Sequence, residues 1–300
     1  MDGIINVYKE KEYTSFDVVA ILRGITHIKK IGHTGTLDPM AEGVLPVCIG
    51  RATRLCDIMP DSDKAYKCKM VFGKKYDTLD IYGKLLDTKD VTLTEEVVRN
   101  AIMGFIGSYE QVPPMYSAIK VDGKKLYDLA RQGIEVERKA RLVHIFNIDI
   151  LNIDVNKEKP GAEFIVNCSK GTYIRSLCDD IGSKLGTYGA MESLVRVRAC
   201  GFDIDNALKI SDIEKKAKEN DLQSIIMAMD KPFMEYKALY IHEDVRSLAD
   251  NGNKLETSWV DGFDGADESE MFRLYMDDEF YGLYSYTGNM LKPYRFLKIK

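Results

Sequence analysis

Gly32-His33-Thr34-Gly35-Thr36-Leu37-Asp38-Pro39-Met40-Ala41-Glu42-Gly43-Val44-Leu45-Pro46 is the stretch on which the reading of this chain turns. It sets one carboxylate, Asp38, among small and hydroxyl-bearing residues, where a nucleophile could be presented. Gly32 and Gly35 let the backbone take conformations that a Cβ forbids, and Pro39 restricts the aspartate before it to extended geometry. Alone, the Asp38-Pro39 dipeptide reads as the cap of a helix whose first residue is Pro39. The rest of the chain has to decide between a nucleophile and a cap.

Working outward, Ser15 can cap a helix that carries Val18, Val19, Leu22 and Ile25 on one face. Lys67 to Phe72 alternates, which predicts a strand with Cys68, Met70 and Phe72 inward. Thr92-Leu93-Thr94-Glu95 is a capping-box pattern opening a helix whose Val98, Ala101, Ile102 and Phe105 face inward, and Gly107 ends it. A second alternating strand, Glu163 to Cys168, leads through Gly171-Thr172 into a helix carrying Ile174, Leu177, Ile181 and Leu185. Strands and helices mix without the regular alternation of a doubly wound sheet, so the fold class is α+β. Ser211-Asp212-Ile213-Glu214 opens a short polar helix, and after Pro232 the composition changes. Short aromatic-rich strands are expected at 238–241, 271–276, 280–286 and 294–299, broken by Asn251-Gly252-Asn253 and an acidic loop over 261–270, which is the pattern of a small β domain. The expected division is 1–234 and 235–300.

Three hundred residues exceed the usual size of one hydrophobic core, and 45% apolar with 30% charged residues describes a soluble globular protein. No apolar run follows a basic start, and no 18 uninterrupted apolar residues occur, so neither export nor a membrane span is expected. Cys48, Cys56, Cys68, Cys168, Cys178 and Cys200 are scattered, with no C-x-x-C pair, which argues against a disulfide framework or structural zinc. The expectation is a cytoplasmic, reduced, metal-free protein. Neither G-x-x-x-x-G-K-[ST] nor a strand-anchored G-x-G-x-x-G is present, so no nucleotide cofactor is implied. The net charge of −5 is local: residues 235–300 hold 13 acids against 8 bases, and residues 1–234 balance at 34 against 34. A polyanion needs a basic face rather than a basic total. Ser117 to Phe146 supplies a candidate, with Lys120, Lys124, Lys125, Arg131, Arg138, Lys139 and Arg141 against four acids.

Beyond the aspartate segment stand Lys64-Ala65-Tyr66-Lys67, Gln111-Val112-Pro113-Pro114-Met115-Tyr116-Ser117-Ala118, Lys120-Val121-Asp122-Gly123-Lys124-Lys125-Leu126-Tyr127 and Gly171-Thr172-Tyr173-Ile174-Arg175-Ser176-Leu177. In that order, over roughly the first two thirds of the chain, these five motifs closely resemble those of the TruB family of tRNA pseudouridine synthases. The resemblance implies a mixed, mainly antiparallel sheet flanked by helices, followed by a small C-terminal β domain of PUA-like type that binds RNA. It implies isomerisation of uridine to pseudouridine at position 55 of the tRNA T loop, with the T-arm stem-loop as partner and no cofactor, metal or obligatory protein partner. The segment 117–146 would be a mobile thumb closing on that loop.

The reaction breaks the bond from ribose to N1 and rejoins the ring through C5. A carboxylate suits it, attacking either ribose C1′ or ring C6, and the residues do not choose between those routes. By resemblance Asp38 is the catalytic carboxylate, Arg175 its charge partner, Tyr66 the ring that stacks on the uracil, and Tyr173 a second wall. A base inside a folded loop has to be flipped out, and His33 matches the family histidine that fills the gap. Lys9 and Lys64 match lysines near the active site and read as phosphate or loop supports, with Lys120, Lys124 and Lys125 as RNA contacts. One departure stands out: where the family has Lys-Pro-x-Gly before Thr-Ser, this chain has Lys9-Glu10-Lys11-Glu12-Tyr13, which bears on the local backbone and on Lys9. A catalytically silent T-arm RNA chaperone and an aspartate-nucleophile hydrolase of small molecules are the competing readings. Asp38 with Arg175 argues against the first, and the basic segment disfavours the second.

Overall fold

The computed structural model describes residues 1–60, 63–121, 123–156 and 158–298. Asp122 of the lysine-rich motif and Ile299, the expected end of the last strand, lie outside them. Packing divides the chain into two compact units, one of residues 1–39, 44–61 and 200–300, the other of residues 40–43 and 62–199.

In the second unit the strands Gly189–Ala199, Lys64–Phe72, Gly161–Cys168, Arg141–Asp154 and Gly107–Gln111 lie side by side, each antiparallel to the next. The expected alternation holds: Cys68, Met70 and Phe72 are buried, as are Phe164, Val166 and Cys168 on the neighbouring strand. On the other face Lys67 pairs with Glu163 at 2.9 Å and Lys69 with Glu192 at 3.0 Å. The helix Ile174–Lys184 packs on the strands Gly189–Ala199 and Lys64–Phe72, burying Ile174, Leu177 and Ile181. It comes so close to the sheet that a Cβ on Gly182 would strike the backbone of Tyr188 and Gly189. The helix Glu95–Met103 is capped by Thr94, whose Oγ accepts from Val97 N at 3.3 Å, two residues later than the capping box reads. Gly104 ends it, and Gly107 instead opens a strand.

The first unit gathers its core from distant parts of the chain. Ile5, Val7, Val18, Val19, Leu22, Ile31, Leu45, Val47, Ile49 and Ile213 form one buried cluster, which joins the strand Gly3–Lys9 to the helices Ser15–Thr26 and Ile210–Lys218. The segment after residue 200 returns to the first strand, with Ile4 and Met227 exchanging both backbone bonds at 2.9 and 2.8 Å and Tyr8 N donating to Leu208 O at 2.8 Å.

Residues 237–296 form a sheet of their own, in the order Leu255–Glu256, Met290–Phe296, Glu279–Thr287, Met271–Met276, Lys237–Ile241 and Val260–Asp261. Only the pair Lys237–Ile241 and Met271–Met276 runs parallel. Its core holds Leu239, Phe272, Leu274, Tyr284 and Leu291. This sheet does not stand apart as a compact unit. Arg51 bridges Asp2 at 2.9 Å and Glu279 at 2.8 Å, Arg54 Nη1 donates to Phe296 O at 2.8 Å, and Arg295 meets Asp57 at 2.6 Å. No helix among the described residues is long and apolar enough to cross a membrane.

Candidate active site

Within the first unit, Asp38 lies in an irregular loop between the strands Ile31–His33 and Glu42–Ile49. The chain turns at Pro39 and enters the second of these strands. Asp38 is therefore no helix cap, and the cap reading of Asp38-Pro39 fails because the register of the following strand overrides the dipeptide preference. Gly32 has ordinary backbone geometry, so the freedom expected of it is not used. His33 is half-buried at the end of its strand, opposite Val47.

Lys9 is wholly buried, and its ammonium donates to Tyr13 O at 2.7 Å and to Glu10 O and Pro39 O at 3.0 Å each. A cation removed from solvent in this way ties Pro39 to the chain around Glu10 and Tyr13. The Lys9-to-Tyr13 departure is accommodated by strain. Glu12, at the position of the family glycine, has φ +71°, the left-handed conformation that costs an L-residue roughly 1–2 kcal/mol. Its N–H also reaches Pro39 O, at 2.9 Å.

Within the second unit, the strand carrying Tyr66 begins at Lys64 rather than Lys67, because Lys64 and Ala65 find ladder partners in Cys168 and Asn167 on one side and in Ala199 and Arg198 on the other. Tyr66 is thus inside the sheet, buried, between Val166 and Arg196. Arg196, a buried cation beside it, was not anticipated; its signal is an arginine where alternation with Leu194 points inward.

Arg175 stands in the first turn of its helix, an unfavourable place for a cation, and its guanidinium reaches away to carbonyls. Nη1 donates to Thr78 O at 3.0 Å and Nη2 to Tyr116 O at 2.8 Å, while Nε lies 4.0 Å from Asp80. Asp80, which sequence reading missed, accepts from Thr78 Oγ1 at 2.8 Å and from Tyr82 N at 3.0 Å. The helix has no capping side chain of its own at Tyr173. Gln111 substitutes from the strand Gly107–Gln111: its Oε1 accepts from Tyr173 N at 2.8 Å, and its Nε2 donates to Tyr173 O at 3.0 Å and to Tyr109 Oη at 2.5 Å. Ser176 Oγ donates to Val112 O at 2.9 Å. Two side chains therefore fix the turn that carries Tyr173 and Arg175.

On the same helix, the Asp180 carboxyl is pushed up to about 6 by burial and then by the neighbouring Asp179. Burial and the Asp180 charge also raise the Tyr109 phenol above its ordinary range.

The basic segment is built differently. Lys120–Val121 and Lys124–Lys125 form a ladder of two residues a side, with Lys120 opposite Lys125. Like charges directly across a strand pair repel, and all three lysines are exposed. Lys125 and Arg131 both lie over the Tyr127 ring, at 5.3 and 5.6 Å from its centroid. Among the described residues no group of three or more His, Cys, Asp or Glu side chains is placed to hold a metal.

Comparison with known proteins gives the pattern a context. Residues 23–174 match the model of the TruB family pseudouridylate synthase N-terminal domain, and residues 175–234 that of the tRNA pseudouridylate synthase B C-terminal domain. The tRNA pseudouridine synthase B of Clostridium tetani is 44% identical over 298 residues, 99% of this chain and 100% of that protein. The protein of the same name from Lachnoclostridium phytofermentans is 46% identical over 293 residues, 95% of each chain. Among solved structures, a chain of a Cbf5-Nop10-Gar1 complex superposes with a TM-score of 0.74 at 24% identity, covering 98% of this chain and 84% of that one. A chain of the archaeal box H/ACA sRNP Nop10-Cbf5 complex gives 0.72 at 23%, covering 98% and 86%. At these identities the superpositions establish the shared fold, with its mixed sheet, flanking helices and PUA-like β domain.

Proposed function

Since the chain belongs to the TruB family and is a tRNA pseudouridine synthase, we propose that it isomerises the T-loop uridine at position 55, with Asp38 as the catalytic carboxylate. The observation that carries this reading is the family match running unbroken through residues 23–234, which takes in every matched side chain from His33 to Arg175. The loop geometry is consistent with it. A carboxylate that must attack and later leave gains from being held in place before substrate arrives, and the backbone on both sides of Asp38 is bonded to the buried side chains of Lys9 and Ser15.

In this reading the substrate is a flipped uridine. Tyr66 and Tyr173 enclose its ring, His33 fills the space that it leaves, and Arg175 sustains the negative charge of the carboxylate against burial. Lys120, Lys124 and Lys125 take phosphates, and Lys64 is a phosphate or loop support. The segment 117–146 closes on the loop, and the sheet of residues 235–300 adds RNA contacts beyond the T arm. The enzyme would act in the cytoplasm, where its six free thiols persist.

Tritium at uridine C5 tests it, because isomerisation must expel that hydrogen. A T-arm hairpin with its only labelled uridine at position 55 is expected to release tritium to water, and the same hairpin labelled at any other uridine is not. Release from other positions at a similar rate would reject position 55.

A further inference from the structure

One buried hydroxyl beside the aspartate loop has no part in the reading so far. The helix Ser15–Thr26 is capped by Thr14, whose Oγ accepts from Asp17 N at 3.0 Å while Asp17 accepts from Thr14 N at 2.8 Å. Ser15 is therefore not needed as a cap. Its side chain is 2% exposed and turns instead to Leu37: Oγ accepts from Leu37 N at 2.9 Å and donates to Leu37 O at 3.3 Å. One hydroxyl meets both polar groups of the residue that precedes Asp38. The residue that follows it, Pro39, offers its carbonyl to Lys9 Nζ at 3.0 Å and to Glu12 N at 2.9 Å. Residues 9–15 thus make a frame, and Asp38 is the one residue strung between its two attachment points.

We propose that Ser15 is a positioning residue for Asp38, acting through Leu37 to fix where the carboxylate stands. The inference rests on the reading of Asp38 as the catalytic carboxylate. Leu37 is itself buried, at 4% exposure. Without the hydroxyl its N–H and C=O would both be left buried and unpaired, and the cheapest relief is for the loop to shift toward water. Such a shift moves Asp38 directly, and a misplacement of ~1 Å is enough to cost about a hundredfold in rate. The RNA-binding lysines lie on other segments, so the loss falls on the chemical step.

The test uses the full chain, a T-arm hairpin tritiated at the target uridine, and three variants: Ser15→Ala, Ser15→Thr and Asp38→Asn. Ser15→Ala is expected to lower the single-turnover rate constant by about 10- to 100-fold, with Kd for the hairpin within about threefold and a single cooperative melt. Ser15→Thr keeps Oγ and is expected to recover most of that rate. A Ser15→Ala rate within about twofold of the parent overturns the proposal, as does a loss carried equally by Kd, since a merely structural hydroxyl would weaken both alike. So does a Ser15→Thr variant that melts like the parent yet is no faster than Ser15→Ala. If Asp38→Asn itself isomerises, the reading beneath the proposal fails. If Asp38→Asn is inactive and Ser15→Ala is fully active, only the role of Ser15 fails.

Discussion

The aspartate loop and the lysine-rich segment are both short and irregular, yet they are built on opposite plans. Residues 37–39 are bonded through their backbone to Ser15, Lys9 and Glu12, groups that are buried or locked in an unusual conformation. Residues 120–131 have a ladder of two residues a side, a helix of six residues and a like-charge pair across the strands; their buried anchors are Leu126 and Leu129. A carboxylate that makes and breaks a bond needs its position settled beforehand. A basic surface that meets a polyanion can leave its charges in mutual repulsion until phosphates relieve it. On the proposed reading, the loop assigned the chemistry is tied down through its backbone, and the lysines assigned to RNA stand exposed.

The largest effect that tests this contrast is Asp38→Asn. It should reduce single-turnover isomerisation at least about a thousandfold, while the affinity for a T-arm hairpin stays within about tenfold, ~1.4 kcal/mol. Measurable turnover, or a collapse in affinity, would erase the distinction between the two regions.

The converse experiment is Lys124→Glu with Lys125→Glu. Affinity should fall by about tenfold or more at low salt, and the slope of log affinity against log salt should flatten by about 1 to 2. The single-turnover rate at saturating RNA should be preserved. An unchanged slope would place both lysines away from the phosphates.

A smaller effect separates the fixed side further. The folded protein holds a proton on Asp180 up to about pH 6, above the ordinary carboxylate range, so folding favours the protonated form. Stability from this group is therefore fully present below the ordinary carboxylate value and declines as pH rises through about 6. Asp180→Asn, which keeps the shape but cannot ionise, should match the parent Tm near about pH 4 and exceed it above about pH 6. A gap of constant size across that range would mean that Asp180 does not titrate there.

The smallest effect is expected from Glu12→Gly, which relieves the left-handed backbone of the frame. We expect it to raise stability by about 1 kcal/mol, a Tm gain of roughly 2–4 °C, with activity unaltered. A loss of stability would show that the Glu12 side chain contributes more than its backbone costs.

What could be read beforehand follows from what sequence encodes locally. The alternation at 67–72 and 163–168 is a period-2 signal, and it placed the inward residues correctly. The caps were misread by one or two residues. Ser15 is a good cap by type, but Leu37 claims its hydroxyl, and Thr94 takes the role read for Thr92. The family match carried Asp38, Tyr66, Tyr173 and Arg175 into view. Gln111 and Asp80 as supports were out of reach, since the contacts that reveal them join each to a residue far along the chain, Gln111 to Tyr173, 62 positions on, and Asp80 to Arg175 of the helix that follows Tyr173. Nothing in a local pattern announces that a glutamine will substitute for a missing helix cap.

The return of residue 227 to residue 4 has a consequence for synthesis. The first unit is written at both ends of the chain, whereas the second is almost wholly one continuous run, 62–199. As the polypeptide emerges, the second unit can complete its sheet from residues already made. The strand Gly3–Lys9 has to wait for Leu208 and Met227 before its outer bonds are filled, and such distant closures come late and slowly. The strand that ends in Lys9, the anchor of Pro39, is thus not fully paired until residues 208 and 227 have been made, so a nascent chain shorter than that carries Gly3–Lys9 with its outer bonds unfilled.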